Sequence, residues 1–189
     1  MKKWSEIRQG IINKLFMDEQ EVNSENENYA SKFAFYANEC LNQIANRVKP
    51  RIAVFDVETT TENEEQMMPE DFLSFADMVN YVNGEPDPTI VYLGDKNVIL
   101  PRIGRYKIFY NALWEPITED YMNDQEQLDL PIDQSVLNCI PAYVASQILA
   151  EDDVQRSTML RNEYELMLSG LDTNIMYQEN HFKSTGGWY

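Results

Sequence analysis

Residues 130–171 read Leu130-Pro-Ile-Asp-Gln-Ser-Val-Leu-Asn-Cys-Ile-Pro-Ala-Tyr-Val-Ala-Ser-Gln-Ile-Leu-Ala150, then Glu151-Asp152-Asp153, then Val154-Gln-Arg-Ser-Thr-Met-Leu-Arg-Asn-Glu-Tyr-Glu-Leu-Met-Leu-Ser-Gly170-Leu171. In the first half Leu137, Ile140, Val144 and Ile148 recur at three- and four-residue steps, and in the second Leu160, Tyr164, Met167, Leu168 and Leu171 do the same. Both are apolar stripes of helices. Asp152 and Gln155 have capping-box spacing, so a new helix is expected there, and Gly170 is placed to stop it. The connection is a few residues long, which predicts an antiparallel helical hairpin. Pro141 removes an amide donor and crowds the preceding turn, so a kink is expected in the first helix.

The same reasoning extends outward. Trp4, Ile7, Ile11 and Leu15 make a helical stripe over residues 3–17. Asp18 to Asn28 is acidic and amide-rich and reads as a loop, with Ser24 and Glu27 at capping-box spacing before a helix over 25–48. That helix carries Tyr29, Phe33, Tyr36, Cys40 and Ile44 on one face and ends at Pro50. Its length is about 35 Å. Periodicity then changes. Arg51 to Thr61 favours strand. Asn63 to Gln66 reads as a polar loop, and Met68 to Phe72 as a turn delivering an aromatic anchor. Met78 to Val82 reads as a strand turning at Asn83-Gly84. Thr89 to Leu93 and Val98 to Leu100 flank a Gly94–Asn97 turn, and Arg105 to Tyr110 is a strand with Tyr106, Ile108 and Tyr110 on one side. Glu115 to Asp129 is a long acidic connection. The expected fold is therefore mainly α within an α+β class. It is an antiparallel helical bundle (helices 3–17, 25–48, 133–150 and 153–169) with a small β-rich insertion over 51–114. Residues 1–171 form one domain, and 172–189 an extended C-terminal tail.

The 189 residues carry 32 acidic and 15 basic side chains, a net charge of −17. That charge disfavours binding to a nucleic-acid backbone or an anionic membrane, since both need Lys and Arg. It suits a soluble surface, a basic partner, or a wall along which DNA slides. Cys40 and Cys139 lie in apolar helical contexts and read as two buried thiols rather than a disulfide or metal pair. The N-terminus lacks the apolar run of a secretion signal, and no stretch is long and apolar enough for a membrane span, so a soluble protein made in a reducing cytoplasm is expected.

Phosphate-loop, nucleophile-elbow and zinc-protease motifs are all missing, and no cofactor is expected. His181, the single histidine, reads as a bystander. Asp56 and Glu58 alternate along a strand and share a face, which reads as solvated before it reads as a cation site or an acid/base pair. Glu151, Asp152 and Asp153 sit where carboxylates meet the positive end of a helix dipole. Eleven Tyr, eight Phe and three Trp point instead to contacts with proteins. The tail adds Ile175, Met176, Tyr177, Phe182, Trp188 and Tyr189, with little to bury them on.

Met68-Pro69-Glu70-Asp71-Phe72, Gly104-Arg105-Tyr106-Lys107-Ile108-Phe109-Tyr110, Leu130-Pro131, Ile140-Pro141-Ala142-Tyr143-Val144-Ala145-Ser146, Asp152-Asp153 and Arg161-Asn162-Glu163-Tyr164-Glu165 follow one another in an order that resembles tailed-bacteriophage head–tail connector proteins, also called adaptor or head-completion proteins. The resemblance covers roughly residues 68–171. It implies a non-enzymatic virion protein at the head–tail junction, built as a helical bundle with a β-rich insertion. About twelve identical subunits would form a ring beneath the portal protein, extend the DNA channel and present a surface to tail or neck proteins. Packaged DNA would pass through without specific binding, and no membrane is involved. It also implies that the C-terminal tail, with the six apolar residues above, contacts the portal. A dozen copies would carry roughly −200 charges around a cyclic assembly. Two other classes fit the charge: an acidic DNA-mimic inhibitor, which needs carboxylates spread over its outer surface, and a metal-dependent hydrolase built on Asp56, Glu58 or the Asp152 cluster.

Overall fold

The chain was analysed as a computed structural model, which describes residues 2–15, 27–87, 89–123 and 128–179. It divides into two units, residues 1–49 with 115–189, and residues 50–114.

In the first unit the helices are α1 (Trp4–Leu15), α2 (Glu27–Arg47), α3 (Glu119–Asn123), α4 (Gln134–Leu137), α5 (Ile140–Ile148) and α6 (Val154–Glu179). The hub is α5, which packs against α1, α2 and α6. It has no charged residue, and Ile140, Ala142, Tyr143, Val144, Ala145 and Ser146 are all buried. A helix apolar all round has to sit inside its neighbours. Leu160, Tyr164, Leu168 and Leu171 of α6 supply the facing stripe, and all four are buried.

Pro141 does not kink a long helix, as the sequence suggested. It stands in the first turn of α5, where its missing amide has no helical acceptor to lose. The helix expected over 133–150 is thus two. Asp133 caps α4 by accepting from the Ser135 amide, the chain turns at Asn138 and Cys139, and α5 begins anew. The cap of α6 is likewise one residue later than expected: Asp153 Oδ1 accepts from the Arg156 amide at 3.0 Å. Gly170 does not end α6. Leu171 beyond it is buried in line with the stripe, and Gly170 keeps a helical backbone with nothing within 4 Å of the place a β-carbon would take. Packing of the stripe outweighs the roughly 1 kcal/mol that a helical glycine costs. The tail expected to be extended from residue 172 therefore begins as helix, up to Glu179.

The acidic connection belongs to this unit. Ile117 is buried, and its backbone is held on both sides by Asn38 of α2, at 2.7 Å and 3.1 Å. At its far end Asp129 bridges Lys3, and the Leu130 amide donates to Lys2 O. The segment thus returns to a basic stretch of the chain, where residues 1–15 hold Lys2, Lys3, Arg8 and Lys14 against Glu6 alone.

The second unit overturns the expectation of a mainly helical bundle. The chain is α+β, with about 43% helix and 27% strand in two antiparallel sheets, so the strands are no minor insertion. They are β1 (Arg51–Thr59), β2 (Glu64–Met67), β3 (Phe72–Phe75), β4 (Tyr81–Val82), β5 (Glu85–Pro86), β6 (Val91–Gly94), β7 (Asn97–Leu100) and β8 (Gly104–Ala112). One sheet runs β1-β8-β4-β5 with β3 also on β8, and the other runs β2-β7-β6. Register shows how they are related. Arg51 pairs with Ala112 and Thr59 with Gly104; Glu64 pairs with Leu100 and Met67 with Asn97. Residues 51–67 and 97–112 are therefore one long antiparallel ribbon, with one extra residue on its first strand where it turns from sheet to sheet. An odd offset exchanges the faces of a strand. Accordingly the half-buried positions are odd in β1 (Ala53, Phe55, Val57) and even in β2 (Glu64, Gln66).

That corner explains why 63–66 does not form the polar loop its composition suggests. The Glu64 carboxylate accepts from the Thr60 and Thr61 amides at 2.8 Å and 3.2 Å. Thr59 Oγ1 donates to Arg102 O, and Tyr106 Oη accepts from the Arg102 amide. The polar side chains serve the bend, while the partner strand β7 supplies buried Val98 and Leu100. A single core joins the sheets: Met68, Phe72, Val82, Val98, Leu100, Tyr106, Ile108, Tyr110 and Ala112. Tyr92 of β6 packs edge-on against Phe75 of β3 at 5.6 Å. The Asn83-Gly84 turn forms as read, both residues at positive φ, as a two-residue hairpin requires.

Candidate functional site

Of the six tail residues singled out by sequence, Ile175, Met176 and Tyr177 lie in the last turns of α6, and Phe182, Trp188 and Tyr189 lie outside the described residues. His181 and the loop 18–26 lie outside them too.

Two of the acidic candidates, Asp56 and Asp153, are engaged within the chain. Asp56 and Glu58 do share the exposed face of β1. Arg105, across the ribbon on β8, grips the Asp56 carboxylate with two bonds of 2.7 Å and 2.8 Å, and this holds its pKa below the usual carboxylate range. Of the Glu151–Asp153 cluster, Asp153 caps α6. Among the described residues no three His, Cys, Asp or Glu side chains converge as metal ligands. Cys40 and Cys139 are free thiols buried in the helical unit, and burial raises the pKa of both, that of Cys139 to about 11. A thiol so held is a poor nucleophile.

Around Cys40 lies a polar knot between α2, α5 and α6. Tyr143 and Tyr164 meet edge-to-face at 5.0 Å, and the Arg161 guanidinium stands 5.3 Å and 5.1 Å from their centroids. Glu165 accepts from Arg47 and from Arg161. Gln43 Nε2 donates to Tyr143 Oη at 2.6 Å. Desolvation pushes Tyr143 up to about 12 and Tyr164 further still, so both stay neutral phenols. Arg47 and Arg161 are both paired with Glu165, so the knot fixes helices rather than reactants.

Open apolar surface stands out instead, in two places. In the helical unit a groove of about 950 Å³ runs between α1, α5 and α6, floored by Gly10, Pro141 and Leu160. Met159 and Leu166 stand on its walls at 65% and 74% exposure, and Lys14 bridges it to Glu163 at 2.6 Å. In the β unit the surface is more apolar still. It carries nine of the fourteen exposed large apolar side chains among the described residues (Ile52, Val54, Met67, Met78, Val79, Val91, Tyr92, Leu93 and Ile103), from about a third of the chain. Neither patch was singled out by sequence. Val91-Tyr92-Leu93 signals one of them: three apolar residues in a row on a strand cannot all face one core.

Compared with known protein families, the sequence matches none, and no curated protein is similar to it.

Proposed function

We propose that this chain is a structural subunit of a phage head–tail connector, assembling as a ring of about twelve copies beneath the portal and joining the capsid to the tail. The observation that carries the reading is the concentration of exposed large apolar side chains on the β unit of a strongly acidic chain. A monomer seldom leaves so many large apolar side chains of one unit open to water, whereas a subunit covers them with its neighbours. The resemblance of residues 68–171 to connector proteins gives the kind of assembly, and the net charge of −17 per subunit suits a channel through which DNA slides without sticking. In this reading the six apolar residues of the C-terminal region seat on the portal and the chain performs no chemistry. Electron microscopy of the purified chain mixed with portal tests the proposal: connector rings stacked on portal rings are expected, and bare portal rings would refute it.

A further inference from the structure

The β4–β5 hairpin is lightly held. Each of its strands is two residues long, and β4 meets β8 at two register positions, Tyr81 with Lys107 and Val82 with Tyr106. A two-stranded hairpin is marginal by itself, so its attachment to β8 decides whether it stays. Val82 anchors it in the core of the sheets. Two asparagines extend the attachment. Asn80 Oδ1 accepts from the Phe109 amide at 2.9 Å. Asn83 Oδ1 accepts from the Arg105 amide at 2.9 Å, and Asn83 Nδ2 donates to Ile103 O at 3.4 Å. The Asn83 amide donates in turn to Arg105 O at 2.9 Å. A segment held this way opens at a lower free energy than the whole fold.

The turn of the hairpin also carries reactive chemistry. Of the seventeen asparagines in the chain, only Asn83 precedes a glycine. Gly84 has no side chain to keep its amide nitrogen from the Asn83 side-chain carbon. Both residues are exposed at positive φ, +50° and +83°, and nothing lies within 4 Å of the place a Gly84 β-carbon would take. In the closed hairpin, both polar atoms of the Asn83 side chain are engaged by the backbone of residues 103–105, which keeps the amide from turning toward Gly84.

We propose that Asn83 is a deamidation site gated by opening of the β4–β5 hairpin, and that its conversion makes the opening permanent. In the opened hairpin the Gly84 nitrogen gives up its proton and attacks Asn83 Cγ. A succinimide ring closes, and ammonia leaves with a proton in exchange. Water then adds to one of the two ring carbonyls and breaks its C–N bond. The product is aspartate or, with the backbone rerouted through the side chain, isoaspartate. Neither redocks as asparagine does. Aspartate sets a carboxylate oxygen where Nδ2 met Ile103 O, acceptor against acceptor. Isoaspartate lengthens the backbone of a turn whose register depends on two residues. The inference is independent of the connector reading and stands or falls without it.

The test uses the full chain in mildly alkaline buffer, with and without denaturing urea. The Asn83 peptide is followed by mass for replacement of NH2 by OH, and exchange of the Arg105 amide is followed by NMR at the same pH. Both processes need the same opening, so the fold is expected to slow them by the same factor, to within about threefold. N80A removes the bond to the Phe109 amide without touching the turn. It is expected to speed both processes in native buffer and to leave the rate in urea unchanged. N83D stands in for the product, and its Arg105 amide is expected to exchange about tenfold faster than in the wild-type chain. Equal deamidation rates with and without urea would overturn the gating, and so would an Asn83 that stays intact while Arg105 exchanges. Wild-type protection of Arg105 in N83D would overturn the permanence. The wild-type comparison decides the gating whether or not N80A folds.

Discussion

Gly10 of α1 and Pro141 of α5 touch so closely that a β-carbon on Gly10 would lie 3.0 Å from Pro141 Cγ. This contact seats α1 on the hub helix and floors the groove beside it. In an exposed helix, replacing glycine with alanine gains about 1 kcal/mol. Here Gly10→Ala is expected to lose about 1 kcal/mol instead, because the proline ring is held in a helix start and yields little. In a Pro141→Ala background the same substitution is expected to become favourable. Urea denaturation of the four variants measures the coupling, which should exceed about 1 kcal/mol for residues in direct contact.

Leu160 on α6 is buried against α5 and also lines the groove. Leu160→Ala is expected to cost about 2–5 kcal/mol, toward the lower end because the groove lets water reach the space left behind. A loss under half a kilocalorie in urea melts would remove Leu160 from the core. Tyr164→Phe is expected to behave oppositely. Its hydroxyl is buried with only the weak acceptor Cys40 beside it, so its removal relieves a poorly satisfied polar group and leaves the Arg161 stacking intact. Melting should be unchanged or up to about 1 kcal/mol more favourable.

The places where sequence and structure part are informative. Spacing alone placed α1, α2 and the α5–α6 hairpin, because apolar stripes at helical period leave few other solutions. Pro141 and Gly170 act as breakers only in isolation: the proline is free to start a helix, and Leu171 has a core to reach. Asn63 to Gln66 reads as loop because its polar side chains serve the corner of the ribbon, a long-range arrangement with Thr59 and Tyr106 that no window of sequence contains. The open apolar surfaces were the least legible, since only pairing order shows that β1 and β6 lie at borders. Asp56 and Glu58 were placed correctly on one face, but the guanidinium of Arg105, 49 residues away, was not foreseen.

Gly104 has φ of +147°, and a β-carbon there would lie 2.7 Å from Asn83 Cγ. The same Asn83 side chain accepts from the Arg105 amide at 2.9 Å. Gly104→Ala therefore meets both a strained backbone and a filled space at the corner of the ribbon. A loss of about 2–3 kcal/mol is expected, read as a lower thermal midpoint.

Acid stability should carry the signature of Asp133. Lys49 donates to its carboxylate at 2.7 Å and Ser135 adds two further bonds, which lowers its pKa from 3.8 to about 2. A carboxyl lowered in the folded state contributes stability that is fully present above its unfolded value and is lost as pH falls through the folded one. The window is thus pH 4 to 2. The group is partly exposed, so solvent screening reduces the contribution to on the order of 1 kcal/mol. Asp133→Asn should flatten this limb of the stability–pH curve in denaturant titrations.

Chains truncated after Glu179 should melt like the full chain, since the described buried residues of α6, Leu160, Tyr164, Leu168 and Leu171, all lie upstream. They should fail to co-sediment with portal if the terminal aromatics make that contact. Normal co-sedimentation would remove Phe182, Trp188 and Tyr189 from the portal contact and leave it to Ile175–Tyr177, the groove or the β unit.

Ring assembly is most directly tested by native mass spectrometry of the chain bound to portal. A complex whose mass equals the portal ring plus about twelve chains of 22.1 kDa is expected. A chain that stays at its monomer mass, with the portal unloaded, would contradict it.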